Sequence, residues 1–194
     1  MIWHLSNRAD PRARNIADRH YNRQKPGTSQ FVPPGRCLVL YVPGAFWVTS
    51  WPFAQYVKHA WPGAWVCSAF RREYGDMIAS QMVKDALAAT RWRWPDAPDI
   101  TCTCGCRVAM VTFVDGRKVR HKRDLGRCFR RAGFIECEQR TVGGLTVLHI
   151  DPRALPPADA PAGAQINLHG VSLQTKAGLS EDDPCFERRL PWAP

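Results

Sequence analysis

The sequence predicts an α/β domain in which strands alternate with helices, followed by an irregular, Pro-rich tail. Three observations predict it. Apolar runs of strand length, such as CLVLYV, AFWVTS, AWVCSAF and RVAMVTFV, are bounded by Pro, Gly or charge. Between them lie stretches whose apolar residues recur at helical spacing. From Pro152 onward there are seven prolines, few large apolar residues and no periodicity. The alternation argues for stacked layers of helix and sheet over residues 1–151. Residues 152–194 read as an extended or partly disordered tail.

Taken in order, Ala13 to Asn22 is expected as a helix with Ile16, Ala17 and His20 or Tyr21 on one side. Residues 23–36 form a loop rich in Pro and Gly. Cys37–Val42 and Ala45–Ser50 are two strands turning at Pro43-Gly44. Trp51 to Trp61 is a connection carrying Trp-Pro pairs, and Ala64–Phe70 is a third strand. It runs through Arg71-Arg72-Glu73-Tyr74-Gly75-Asp76 into a helix ending near Trp92. Ala79, Met82, Val83, Ala86 and Leu87 form the stripe of that helix, and Asp76 is its expected N-cap. Arg107–Val114 is the next strand. A helix from Asp124 to Ala132 follows, with Leu125, Cys128, Phe129 and Ala132 inward and Gly133 as its stop. Phe134–Arg140 and Leu145–Ile150 close the domain as a hairpin around Val142-Gly143-Gly144.

The chain has 194 residues, 45% of them hydrophobic, enough for a real core. Its apolar runs are too short to span a membrane, and the N-terminus lacks the apolar segment of a secretory signal, so a cytoplasmic protein is expected. On that expectation the eight cysteines are reduced thiols. Cys37, Cys67, Cys128 and Cys137 read as small core residues. Cys102, Cys104 and Cys106 read either as a metal knuckle or as free thiols leading into a strand.

The net charge is +10, and the first 151 residues carry 23 Lys or Arg against 12 Asp or Glu. Such an excess points to nucleic acid, an anionic membrane or a phosphorylated cofactor, or else simply to solubility. The excess peaks between Asp115 and Phe134, DGRKVRHKRDLGRCFRRAGF, where eight of twenty residues are basic. Arg117, Lys118, Arg120, Lys122, Arg123 and Arg127 are placed to contact several phosphates of double-stranded DNA, with Arg130 and Arg131 beyond them. Trp92 and Trp94 offer faces for an unstacked base or, alternatively, pack at a helix end. Arg71, Arg72 and Gly75 lie between a strand and a helix start, where backbone N–H groups and the helix dipole favour an anion such as a cofactor phosphate. The glycine-rich and Lys-containing fingerprints of nucleotide folds are absent.

The succession of strand, Gly-containing turn, helix, strand and a short helix ending in Arg130-Arg131-Ala132-Gly133-Phe134 resembles the GNAT N-acyltransferase superfamily. The resemblance spans about residues 13–151 and implies a mixed central sheet flanked by helices. His20-Tyr21-Asn22, Phe113-Val114-Asp115 and Gly126 to Phe134 resemble more narrowly the Mom-type DNA-modification branch of that fold. This implies an enzyme that modifies the exocyclic amine of adenine in duplex DNA, in a phage's host cytoplasm if the gene is a phage's. It implies His20, Tyr21 and Asp115 as catalytic residues, and an iron or other transition-metal ion held by His20 and Asp115. It also implies a small-molecule donor, acyl-CoA or related. The helix aromatic that is Tyr in the Mom branch is Phe129 here, and the turn Arg72-Glu73-Tyr74-Gly75-Asp76-Met77 departs from the usual Arg-x-x-Gly-x-Gly. Read on their own, His20 and Asp115 suit metal ligation, acid–base work or plain packing and turn capping. Three alternatives stand beside this one: an acetyl-CoA-dependent N-acetyltransferase acting on a small amine or protein, a non-catalytic DNA-binding protein of the same fold, and a zinc-stabilised binding module. Oligomeric state is open, a dimer included.

Overall fold

The computed structural model describes residues 1–32, 34–119 and 124–164. In chain order the elements are β1 (His4–Ser6), α1 (Pro11–Ala17), β2 (Cys37–Val42), β3 (Ala45–Ser50), β4 (Trp65–Arg72), α2 (Ala79–Arg93), β5 (Ile100–Thr101), β6 (Arg107–Val108), β7 (Met110–Val114), α3 (Arg127–Arg131), β8 (Ile135–Glu136) and β9 (Thr146–Ile150). Seven strands form one mixed sheet in the order β1-β2-β3-β4-β7-β9-β8, and β5 pairs with β6 apart from it. The mixed sheet and flanking helices are as expected.

The strand β4 and the strand β7 are parallel, and every other pairing is antiparallel. Parallel neighbours need a long crossover, and α2 supplies it. Because side chains alternate across a strand, each strand feeds two cores. Leu38, Leu40 and Trp47 pack with Met82, Val83, Ala86 and Leu87 of α2 and with Phe129 and Ala132. Val39, Phe46 and Val48 pack on the other side with Ala13, Ile16 and Ala17 of α1.

Several boundaries differ from expectation, each for a local reason. α1 starts at Pro11 because Asp10 caps it, its carboxylate accepting from the Arg12 N–H at 2.9 Å. It ends at Ala17, so His20, Tyr21 and Asn22 lie in the turn that follows. α2 starts at Ala79, with Ile78 rather than Asp76 at its N-cap. Arg72 holds the preceding turn, donating to the Gly75 and Met77 carbonyls at 2.9 and 3.0 Å. α3 is capped by Gly126, and Asp124 pairs instead with Arg130. Its end is as expected. Gly133, at φ +106°, lets the Phe134 N–H reach the Phe129 carbonyl and the Gly133 N–H reach Arg130.

The reduced-thiol expectation fails at one pair: Cys102 and Cys104 are joined as a disulfide. Tight turning brings together sulfurs that are close in sequence, which compartment reasoning does not anticipate. The folded unit runs to Gly163, beyond the boundary expected at 151. Leu155 is buried, the Asp159 N–H bonds the Ala88 carbonyl, and Ala162 exchanges backbone bonds with Trp3 and Leu5. Residues 165–194, with Cys185, lie outside the described residues, as do Arg120, Lys122 and Arg123. No helix among the described residues is long and apolar enough to cross a membrane.

Candidate functional site

The strands β4 and β7 pair over three positions only, Trp65–Cys67 against Met110–Thr112. β4 then continues to Arg72 and β7 to Val114 without partnering each other. The separation coincides with a β-bulge. Thr49 faces Cys67 and Val48 faces Ala69, so Ser68 is an extra residue that bends β4. The Thr112 hydroxyl, donating to the Cys67 carbonyl at 3.2 Å, is the last tie before the gap.

The turn after α1 lies across that gap and touches both strands. The Asn22 side-chain amide donates to the Ser68 carbonyl of β4 at 2.9 Å. The Tyr21 hydroxyl reaches the Phe113 carbonyl of β7 at 3.5 Å and accepts from the Asp115 backbone. Lys118 donates from Nζ to the Tyr21 carbonyl at 3.3 Å. His20 sits behind them, 8% exposed, stacked on Tyr21 at 4.5 Å and edge-on to Phe46 at 6.1 Å. Its Nδ1 contacts Asn22 Oδ1. Burial pushes the imidazole pKa down, opposed by hydrogen bonds to Asn22 and the Phe70 backbone, so the ring is neutral at neutral pH. Burial likewise raises the Tyr21 phenol, which stays protonated.

A cleft of about 450 Å³ opens beside His20 on the α1 side of the sheet. Asn22, Phe31, Phe46, Ser50 and Ser68 line it with His20. The Ser68 hydroxyl donates to Ser50 at 2.8 Å, and Phe31 meets Phe46 edge to face at 5.9 Å. Two aromatic walls with hydroxyls, an amide and a neutral imidazole suit a flat, partly polar ligand.

No known family, curated protein or solved structure matches this chain.

Of the residues singled out in the sequence, His20 lines the cleft, whereas Tyr21 and Asp115 stand outside it, Tyr21 at the β7 end of the gap. The Asp115 carboxylate accepts from the Arg117 side chain at 3.2 Å and the Arg117 N–H at 3.0 Å, and the Arg117 bond holds it below the usual carboxylate range. It caps its own turn. His20 and Asp115 are thus each engaged by protein, by Asn22 and Arg117. The single group of three or more possible ligands among the described residues is Cys102, Cys104 and Cys106.

Arg71 and Arg72 are also engaged. Arg71 donates to Glu73 at 2.9 Å and to the Arg19 carbonyl at 2.6 Å, and Arg72 shapes the turn containing Gly75. Arg19 first, with Arg71, holds the Glu73 carboxyl at about 2. Arg117, Lys118 and Arg127 are exposed, whereas Arg130 is tied to Asp124 and Glu136. Trp94 is core, buried against Trp51 and Trp65, and offers no face to a base. Sequence reasoning assigned no role to Asn22, Ser50, Ser68 or Phe31. Nothing local marks Ser68, because a bulge exists only relative to a partner strand.

Proposed function

We propose that this chain is a GNAT-like transferase that modifies DNA, with the exocyclic amine of adenine as acceptor. One observation carries the reading: a parallel strand pair parts at a bulge, and His20, Tyr21 and Asn22 are laid across the opening beside a cleft. The order of elements supports it. β4, a Gly-containing turn, α2, β7, a short helix ending in Ala-Gly-Phe and closing strands form the succession that the GNAT resemblance implies.

In this scheme a base unstacked from the duplex enters the cleft beside His20, Ser50 and Ser68. Its amine nitrogen attacks the acyl carbon of the donor. A nitrogen–carbon bond forms, the bond to the leaving group breaks, and neutral His20 takes the amine proton. Tyr21 and Asn22 are positioning residues, each holding one strand end. Asp115 orders the turn that carries Arg117 and Lys118 toward DNA phosphates, and Arg127 adds to that surface. Phosphates of an acyl-CoA-like donor would lie at the N-terminus of α2, which has no side-chain cap.

DNA from cells expressing the protein, digested to nucleosides and weighed by mass spectrometry, tests this. A new deoxyadenosine-derived mass is expected, and it disappears in His20→Ala while the thermal midpoint of that variant shows it folded. Absence of any new mass overturns the proposal. A second reading, a non-catalytic DNA-binding protein, is favoured by the engagement of Arg71, Arg72 and Asp115 with protein groups. It predicts salt-sensitive DNA binding with unmodified nucleosides.

A further inference from the structure

The geometry points to a thiolate metal site in the β5–β6 hairpin, one that takes a thiophilic divalent ion such as zinc through Cys102, Cys104 and Cys106. The site is independent of the proposed transfer reaction. Ile100 pairs with Val108 and Thr101 with Arg107, and the intervening residues make a tight turn. The Cys102 N–H bonds the Cys106 carbonyl and the Gly105 N–H bonds the Cys102 carbonyl, both at 2.9 Å. Gly105 allows this at φ +83°.

In an extended strand alternate residues lie about 6.6 Å apart, too far for three sulfurs to share an ion. The turn removes that obstacle: all three sulfurs lie within 4.8 Å of one another. A tetrahedral ion with sulfurs at about 2.3 Å spaces them about 3.8 Å apart, within reach of small side-chain adjustments. Cys102 is buried, Cys106 half-buried and Cys104 exposed, so an ion can enter from solvent and keep water in its fourth position. Beneath the turn, Cys102 and Cys106 pack with Trp61, Val108, Val111, Cys137 and Val147, and Thr103 bonds Gln139 at 3.1 Å. The ion would pin the hairpin over this small core.

The Cys102–Cys104 disulfide is the competing, metal-free state. A dithiol reductant opens it, giving up two electrons and two protons and leaving as its own disulfide. Cys102 and Cys104 then carry thiols. Ion binding releases the three thiol protons and forms three metal–sulfur bonds.

The full-length protein, reduced with a dithiol, desalted and titrated with Co²⁺ and then Zn²⁺, tests the site. About one zinc per chain and a sulfur-to-cobalt charge-transfer band are expected, as thiolate ligation requires. Both are lost in Cys104→Ser and in Cys106→Ser and kept in Cys37→Ser. His20→Ala also keeps both; their loss there would move the ion to His20 and overturn the assignment. Undiminished binding by Cys104→Ser and Cys106→Ser would overturn it too. Alkylation followed by peptide mass mapping of the wild type avoids dependence on variants. Zinc should protect Cys102, Cys104 and Cys106, and equal labelling with and without zinc would refute the site.

Discussion

The seam between β4 and β7 has two halves built on opposite terms. Near Trp65 the strands are hydrogen-bonded and covered by interlocking indoles, with Trp51 and Trp94 ring centroids at 6.2 and 6.1 Å from that of Trp65. Past Ser68 the same strands stand apart, and polar side chains from a distant turn connect them. One half is held by packing and a ladder, the other by a few side-chain hydrogen bonds. The first is shielded from water, with Trp65 and Trp94 both buried. The second can yield to a ligand at modest cost, because each net hydrogen bond contributes only about 1 kcal/mol.

The largest effect should come from breaking the packed half. Trp65→Ala should lower stability by about 3–5 kcal/mol, read from the denaturant midpoint, through loss of the indole and the cavity left behind. Trp65→Phe should cost far less, since the Trp65 Nε1–H has no partner to lose. In the parted half, Asn22→Ala and Tyr21→Phe should each cost about 1 kcal/mol. Their double mutant should depart from additivity, because both side chains cross one gap. Full additivity would mean that the two strand ends are held independently.

The smallest effect is on pH dependence. Burial places the His20 pKa below its unfolded value of 6.5, and His59 and His149 are shifted the same way. The unfolded chain therefore takes up protons first as pH falls. Stability is full above the unfolded value and declines as pH drops from about 7 toward the lower folded values. His20→Gln should make that decline shallower. An unchanged slope would assign it to His59 and His149.

The packed half was legible in the sequence, and the parted half was not. CLVLYV and AFWVTS become β2 and β3 with their expected limits, since continuous apolar runs leave little choice of structure. The stripe of α2 and the Ala132-Gly133 stop of α3 were equally plain. His20 was marked, but its surroundings depend on Ser68 and Phe31, brought there by register and loop closure rather than by local pattern. β1 escaped because three residues carry no periodicity, and its pairing with β2 is what orders it. Residues 152–163 were read as tail because contacts such as Asp159 with Ala88 are backbone bonds that composition does not reveal. In the basic segment charge density alone does not separate contact residues from fold residues: Arg130 is tied to Asp124 and Glu136, whereas Arg117, Lys118 and Arg127 are exposed.

The position of β9 sets a condition on synthesis. It pairs with β7 on one side and β8 on the other, so the last strand among the described residues occupies an interior place in the sheet. Until residues 146–150 have left the ribosome, β8 lacks its neighbour and β7 keeps one open edge of unpaired backbone groups. The nascent chain is most vulnerable to association with other chains in that interval. It ends only when Thr146–Ile150 emerges and slides between the two waiting strands.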